Sequence, residues 1–238
     1  MQFDLHIHKT LRSGQRCFEL DVVVRSDSQR LVILGPSGAG KSLVLKAIAG
    51  LMTPDIGYIH VAGNTLFDHT ARINLPPQRR QLAYLFQDYA LFPHLNVAQN
   101  IAFGLSHGWR NPSAKVQDEK VDYWLEALHI KALARQMPHE LSGGQKQRTA
   151  LARALIAEPR ALLLDEPFAA LDQPLRIGMR KELDSLQRQL NIPMILITHD
   201  AEDAQVFGEH VLNLQDGKLQ TSLAVAGSSG SPSIFSAA

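Results

Sequence analysis

One cysteine, Cys17, stands alone in 238 residues. A single thiol closes no internal disulfide and builds no cysteine metal cluster, and it suits a reducing compartment. Long hydrophobic runs are missing too, since none approaches the roughly 18 residues that a membrane-crossing helix needs. Charge of one sign is not in excess: 24 lysines and arginines face 23 aspartates and glutamates, a net of +1. That balance argues against nucleic acid as the main partner. Met1 to Thr10 alternates polar and apolar residues and has no signal-peptide core. Together these absences predict a cytoplasmic chain whose work at a membrane, if any, passes through a partner. No internal repeat is present.

What is there is ordinary for a globular protein, with 45% apolar and 20% charged residues. The length suits one domain carrying a smaller subdomain. Phe18, Leu20, Val22 and Val24 alternate with polar residues, as on a half-buried strand. Leu31 to Leu34 is a continuous apolar run ending at a glycine, the pattern of a strand buried on both faces. Ser42 to Leu51 reads as a helix stopped by Thr53-Pro54. Further buried strands are predicted at Leu82–Phe86, Ala161–Leu164 and Met194–Thr198. Between the last two, Leu175, Met179, Leu183, Leu186 and Leu190 recur at helical spacing. This order is that of an α/β fold with a parallel sheet and helices on its faces. Residues 88–157 lack strand signals, while Val121, Trp124, Leu125 and Leu128 mark one helical face, so a helical subdomain is expected there. Val211 to Leu219 reads as a hairpin turning at Asp216-Gly217. Residues 222–238 form a low-complexity Ala/Gly/Ser tail, expected to be disordered.

Three motifs carry chemistry. Gly35-Pro36-Ser37-Gly38-Ala39-Gly40-Lys41-Ser42 follows a buried strand and opens a helix. Glycines let successive backbone N–H groups turn toward a phosphate chain, and the helix N-terminus adds positive potential. Lys41 offers a point charge to the β- and γ-phosphates of ATP, and Ser42 a hydroxyl to Mg²⁺. Ala161-Leu-Leu-Leu-Asp165-Glu166 brings two carboxylates to the C-terminal end of a strand, where ligands of open α/β sheets bind. Alone, such a pair is most often a solvated turn. Beside a phosphate loop, Asp165 suits Mg²⁺ and Glu166 suits the attacking water. Leu141-Ser142-Gly143-Gly144-Gln145 precedes a helix and makes a small anion nest. An isolated Ser-Gly-Gly triplet would more often be an N-capped turn.

Lying between the phosphate loop and the acidic strand, Leu141–Gln145 resembles the signature sequence of ABC ATPases. The remaining family positions follow in order. Gln87 resembles the glutamine that touches Mg²⁺ and links nucleotide to the helical subdomain. Ala170-Leu171-Asp172 resembles the loop that joins two subunits, and His199 resembles the switch histidine at the γ-phosphate. The resemblance covers nearly the whole chain. It implies a P-loop NTPase of the ABC ATPase type: residues 1–221 form the ATP-binding domain, with an N-terminal antiparallel β part and the inserted helices. It also implies catalysis by Lys41, Glu166 and His199, and nucleotide contacts along 35–43, Leu43 included, with Gln87 and Asp165. Ser42, Gln87 and Asp165 would hold the metal. Ser142, Gly143, Gly144, Gln145 and Asp172 would act in trans, in a homodimer that sandwiches ATP. The partners implied are membrane permease subunits and, indirectly, a substrate-binding protein, with the chain peripheral on the cytoplasmic face.

Two positions depart from the pattern. Lys9–Arg16 offers no aromatic residue to stack on adenine, leaving Arg12 or Phe18 as substitutes, and Leu43 replaces a frequent hydroxyl residue. Leu75-Pro-Pro-Gln-Arg-Arg80 and Tyr84 to His94 resemble bacterial importers of oxyanions, sugars, polyamines and iron. Leu66-Phe67-Asp68 is most like molybdate importer ATPases. Those relatives commonly add a C-terminal β-domain; its absence here implies that such regulation is missing or supplied elsewhere. A kinase would not need Leu141–Gln145. A DNA-repair relative would carry a long coiled coil between Gln87 and Ser142, where no heptads are sustained. A ribosome-acting relative normally joins two cassettes in one chain.

Overall fold

The computed structural model describes residues 1–14, 16–105, 111–113 and 116–220; the expected tail lies outside them. Along the chain come strands β1 (Phe3–Ser13), β2 (Arg16–Ser26) and β3 (Arg30–Leu34), then helix α1 (Lys41–Ala49). Strands β4 (Ile56–Val61), β5 (Asn64–Asp68), β6 (Ile73–Asn74) and β7 (Leu82–Leu85) follow. Helices α2 (Val97–Ala102), α3 (Glu119–Ala127) and α4 (Gly143–Leu155) precede β8 (Ala161–Asp165) and α5 (Gln173–Leu190). The described chain closes with β9 (Met194–Thr198), α6 (Ala201–Phe207), β10 (His210–Gln215) and β11 (Lys218–Gln220).

The eleven strands among the described residues join one sheet, in the order β6-β5-β4-β1-β2-β11-β10-β3-β9-β8-β7. Strands β3, β9, β8 and β7 run parallel, as the alternation of strand and helix predicts. The antiparallel part is continuous with them rather than a separate sheet. The β10–β11 hairpin joins the two halves, pairing β10 parallel to β3 and β11 parallel to β2. Its turn residues Asp216 and Gly217 both have left-handed backbone, φ 47° and 78°, as a tight two-residue turn requires.

The central strands read as unbroken apolar runs because both sheet faces are covered. Leu31 and Ile33 of β3, Leu163 of β8 and Ile195 and Ile197 of β9 face a core shared with α1 and the antiparallel half. Their neighbours Val32, Leu162, Leu164 and Leu196 face a second core formed with α2 to α6. Trp124, Val121, Leu125 and Leu128 of the predicted helical face are buried in that second core. No strand occurs among the described residues between 88 and 157.

Two local features differ from the sequence reading. Helix α1 ends at Ala49, before Thr53-Pro54, because Gly50 turns left-handed with φ 80° and its N–H caps Lys46 and Ala47 carbonyls. Strands β4 to β6 carry no clean alternation: in β4 Gly57 takes an inward position and Ile56 is exposed, in β5 the adjacent Leu66 and Phe67 are both buried, and the pairing of β4 with β5 shifts register between Ile59 and His60.

Candidate nucleotide-binding site

Strand β3 points its C-terminal end at the loop 35–40, and α1 begins at once with Lys41. Gly35 is required by contact: a Cβ there would lie 2.2 Å from the Leu214 carbonyl oxygen. Gly40 is required by conformation, with φ 99°, and by the Phe18 ring edge that packs on it. The loop is thus wedged between β10 and β2, with the Gly35 N–H bonded to the Thr198 carbonyl and the Ala39 N–H to the Pro36 carbonyl. Lys41 is buried, with its side chain 4% exposed, and its Nζ donates to the carbonyls of Gly35 at 2.9 Å and Pro36 at 3.0 Å. Glu166 Oε1 lies 3.4 Å from the same ammonium. The next residue, Ser42, donates its hydroxyl to Asp165 Oδ1 at 3.0 Å. Leu43 packs its side chain on the core under the antiparallel half, and its N–H bonds to Gly40.

The acidic pair arrives from β8. Asp165 is buried at the strand end, and Tyr84 of the neighbouring strand β7 donates its hydroxyl to Asp165 Oδ2 at 2.8 Å. Both carboxylate oxygens therefore have partners, and the side chain is locked. Burial first, and the charge of Asp165 second, push the Tyr84 phenol well above its ordinary value, so it stays a donor. Glu166 sits in the left-handed region, φ 46°, a strained conformation typical of functional positions. Its N–H bonds to the Ile197 carbonyl at 3.0 Å, and its Oε2 lies 3.0 Å from His199 Nδ1. His199 follows β9, with its ring 58% exposed.

Lys41, Ser42, Asp165, Glu166 and His199 are thus linked by direct contacts. Ser42 and Asp165 border a cleft of about 600 Å³ together with Lys46, Phe86, Gln87 and Ala170. Gln87 stands exposed at the end of β7, on the wall of that cleft. Its oxygen donors fit a hard cation such as Mg²⁺, which is bound through few protein groups and completed by phosphate and water. Ser142 to Gln145 and Asp172 do not border it. Ser142 caps α4 in a reciprocal box: its Oγ accepts from Gln145 N at 3.4 Å, and Gln145 Oε1 accepts from Ser142 N at 2.8 Å. Asp172 caps α5 through Leu175 N at 3.0 Å. These two helix starts adjoin each other, since a Cβ on Gly143 would lie 3.2 Å from Leu171 and one on Gly144 3.1 Å from Leu175.

Residues 23–169 match the family model described as ABC transporter. This chain belongs to the ABC transporter family. It is 42% identical over 201 residues to the spermidine/putrescine import ATP-binding protein PotA of Nitratidesulfovibrio vulgaris, covering 84% of this chain and 52% of that protein. It is 41% identical over 221 residues to the Fe(3+) ions import ATP-binding protein FbpC 2 of Pectobacterium atrosepticum, covering 92% of this chain and 62% of that one. It is 42% identical over 194 residues to the trehalose/maltose import ATP-binding protein MalK of Thermococcus litoralis, at 82% and 52% coverage. The chain spans about half the length of the PotA and MalK relatives. Its fold is that of ABC cassettes: a dimeric structure of MJ0796, a bacterial ABC transporter cassette, superposes with TM-score 0.76 at 29% identity, over 92% of this chain and 96% of that one. A post-hydrolysis state of the same ATP-binding cassette, bound to ADP and Pi, gives 0.75 at 27%, with the same coverage.

Within this ABC fold, Leu11, Arg12, Ser13, Arg16, Cys17 and Phe18 line an open groove at the β1–β2 hairpin, and the Phe18 ring edge also packs against Gly40. Tyr84 is the site residue that motif reading missed. Its signal was weak: a tyrosine alternating with apolar residues in β7, beside the strand that ends at Asp165.

Proposed function

We propose that this chain is the ATP-binding and ATP-hydrolysing subunit of an ABC importer, working as a homodimer under separate permease subunits on the cytoplasmic face of the membrane. Residues 1–221 are the ATP-binding domain, with residues 88–157 as its helical subdomain. The supporting observation is the linked set of Lys41, Ser42, Asp165, Glu166 and His199, in which Ser42 meets Asp165 and Glu166 meets His199 at 3.0 Å each. The amides of loop 35–43 cradle the phosphates, and Lys41 exchanges its bonds with Gly35 and Pro36 for bonds with phosphate oxygens. Ser42 and Asp165, with Gln87 at the cleft wall, would hold Mg²⁺, which when bound would supply positive charge to the β- and γ-phosphates. Glu166 orients the attacking water and accepts its proton as the water oxygen bonds the γ-phosphorus and the bond from that phosphorus to the β–γ bridging oxygen breaks, releasing ADP and phosphate; His199 holds Glu166 in place and reaches the γ-phosphate. Ser142 to Gln145 and Asp172 complete the partner's site rather than their own.

No helix among the described residues is long and apolar enough to cross a membrane, which fits a subunit that relies on a permease. Polyamine, iron and sugar import, named for the relatives above, are candidate cargo classes. Molybdate rests on Leu66-Phe67-Asp68 alone, and Leu66 and Phe67 are core residues of β5. Copurification from native membranes identifies the permease and its binding protein, and hence the cargo. The enzymatic reading predicts phosphate release from Mg-ATP by the purified chain. Lys41→Ala should lose both that activity and calorimetrically measured ATP affinity with an unchanged circular-dichroism spectrum; near-normal affinity in this variant would sink the assignment of the loop.

A further inference from the structure

The turn carrying His199 is tied to α5 by two arginines outside every motif. Arg180 has a side chain only 5% exposed and meets Asp203 Oδ1 and Asp200 Oδ2 at 2.6 Å each and Glu202 at 2.5 Å. Asp203 also accepts the Thr198 hydroxyl at 2.6 Å, and that hydroxyl accepts the Asp200 N–H at 3.0 Å. Asp200 in turn caps α6 through Glu202 N at 2.9 Å. The residues on either side of His199 are therefore anchored. Burial pushes the Asp200 carboxyl up, but the Glu202 N–H and the two arginines outweigh it and hold the group below its ordinary value. It stays charged and keeps both guanidinium partners.

Arg176 does something different. One turn earlier on α5 and 30% exposed, it spans acceptors from two functional segments. One guanidinium nitrogen donates to the Leu171 carbonyl at 3.1 Å, and the other to Asp200 Oδ2 at 3.2 Å. Leu171 immediately precedes Asp172, while Asp200 immediately follows His199. Arg176 also borders the same small cleft as Glu166, Phe168 and His199. A planar guanidinium holds two acceptors at a set separation, whereas a lysine ammonium on a flexible stem does not.

We propose that Arg176 is a positioning residue that locks the Asp172 loop to the His199 turn, so that displacement of either segment resets the Glu166–His199 contact. This rests on the reading that Glu166 and His199 serve hydrolysis and that Asp172 faces the partner subunit. Arg180 anchors the turn independently, so loss of Arg176 leaves the fold standing.

The first arm of the test needs no nucleotide. The imidazole NMR resonance of His199, assigned by its loss in His199→Ala, is followed in the wild type, Arg176→Met, Arg176→Lys and a control, Arg188→Met. Arg176→Met should shift and broaden the resonance, Arg176→Lys should restore it only in part, and the control should leave it unchanged. An unmoved resonance in Arg176→Met overturns the proposal. The second arm is kinetic. Arg176→Met should lower kcat on the order of 10- to 100-fold, as misplacement of a reacting group does, with KM for ATP changed less than about twofold. The double variant Arg176→Met/His199→Ala should be no slower than His199→Ala, because Arg176 acts through His199. Losses that multiply overturn the proposal. A wild-type chain that releases no phosphate refutes the enzymatic reading instead, and the resonance arm still decides the role of Arg176.

Discussion

Tyr84 shows how one hydroxyl can set a carboxylate. Its bond to Asp165 Oδ2 at 2.8 Å leaves Oδ1 turned to Ser42. Tyr84→Phe keeps the ring contact with Phe86, whose centroid lies 4.3 Å away, and removes only that bond. A hydrogen bond to a charged group contributes about 1.5–3 kcal/mol, and a loss of that order is expected in urea unfolding, together with a reduced kcat. The sign of the pH effect follows from the raised phenol. Unfolded, a tyrosine loses its proton at about pH 10; folded, Tyr84 keeps it beyond that. The native state then binds more protons than the unfolded one, so the stability Tyr84 contributes is complete below pH 10 and declines as pH rises further. Tyr84→Phe should flatten that alkaline decline, and an unaltered curve in the variant would refute the linkage.

At the scale of elements, α1 is held at both ends. Its N-terminus meets the loop 35–40, and its C-terminus meets Arg80, which is 2% exposed. The Arg80 guanidinium donates to the carbonyls of Ala47 and Ile48 at 2.8 Å each, to Leu75 O at 2.7 Å and to Asn74 Oδ1 at 3.1 Å. No carboxylate joins it in these bonds. Burial lowers its pKa to about 10, and the cation sits at the negative end of the helix dipole. Arg80 thereby ties the segment after β6 to the helix that carries Lys41 and Ser42. Arg80→Met would take from the Ile48 and Leu75 carbonyls their guanidinium donor, while the Ala47 carbonyl keeps the Gly50 N–H, and about 2–4 kcal/mol of destabilisation is expected. Arg80→Lys should recover little of it, because one ammonium cannot match the four-acceptor fork. Equal thermal midpoints for wild type and Arg80→Met would show that the cap carries no stability. The motif around Arg80 had read only as a family resemblance; its physical role lies in contacts with α1, far away along the chain.

For the whole molecule, the decisive geometry is what one chain does not bring together. Ser142 caps α4 and is exposed, and it does not border the cleft beside Ser42 and Asp165. Composite sites in a homodimer follow if the two halves meet head to tail. Ser142→Arg should then block ATP-driven dimerisation while leaving ATP binding to the monomer intact. His199→Ala should bind ATP and dimerise but turn over on the order of 10²- to 10⁴-fold more slowly, as loss of an acid–base or electrostatic group commonly does. Mixing the two variants gives heterodimers in which one site carries both defects and the other carries neither. Partial recovery of phosphate release on mixing is the expected result. Verified heterodimers without any recovery would replace composite sites with independent or strictly coupled ones.

The local layout of the candidate site was written in residue order. Glycine spacing in 35–40, the adjacent Lys41-Ser42 and the Asp165-Glu166 pair at a strand end are short-range patterns, because a phosphate loop and a strand terminus are each built by neighbours in the chain. Buried strands β3, β8 and β9 were legible for a similar reason: burial on both faces leaves an unbroken apolar run. Other features depend on pairing between distant segments. Strands β4 to β6 gain their hydrogen bonds from β1 and from one another, with a register shift that no periodicity announces. Joining of the two sheet halves by β10–β11 is a matter of topology. Tyr84, Arg80 and Arg176 look like unremarkable residues in sequence. Each acquires its role from a partner beyond its own segment: Asp165, the end of α1, and the turn after His199. Hydrogen-bond geometry acts over about 3 Å of space, so its consequences are set by which parts of the chain fold against each other.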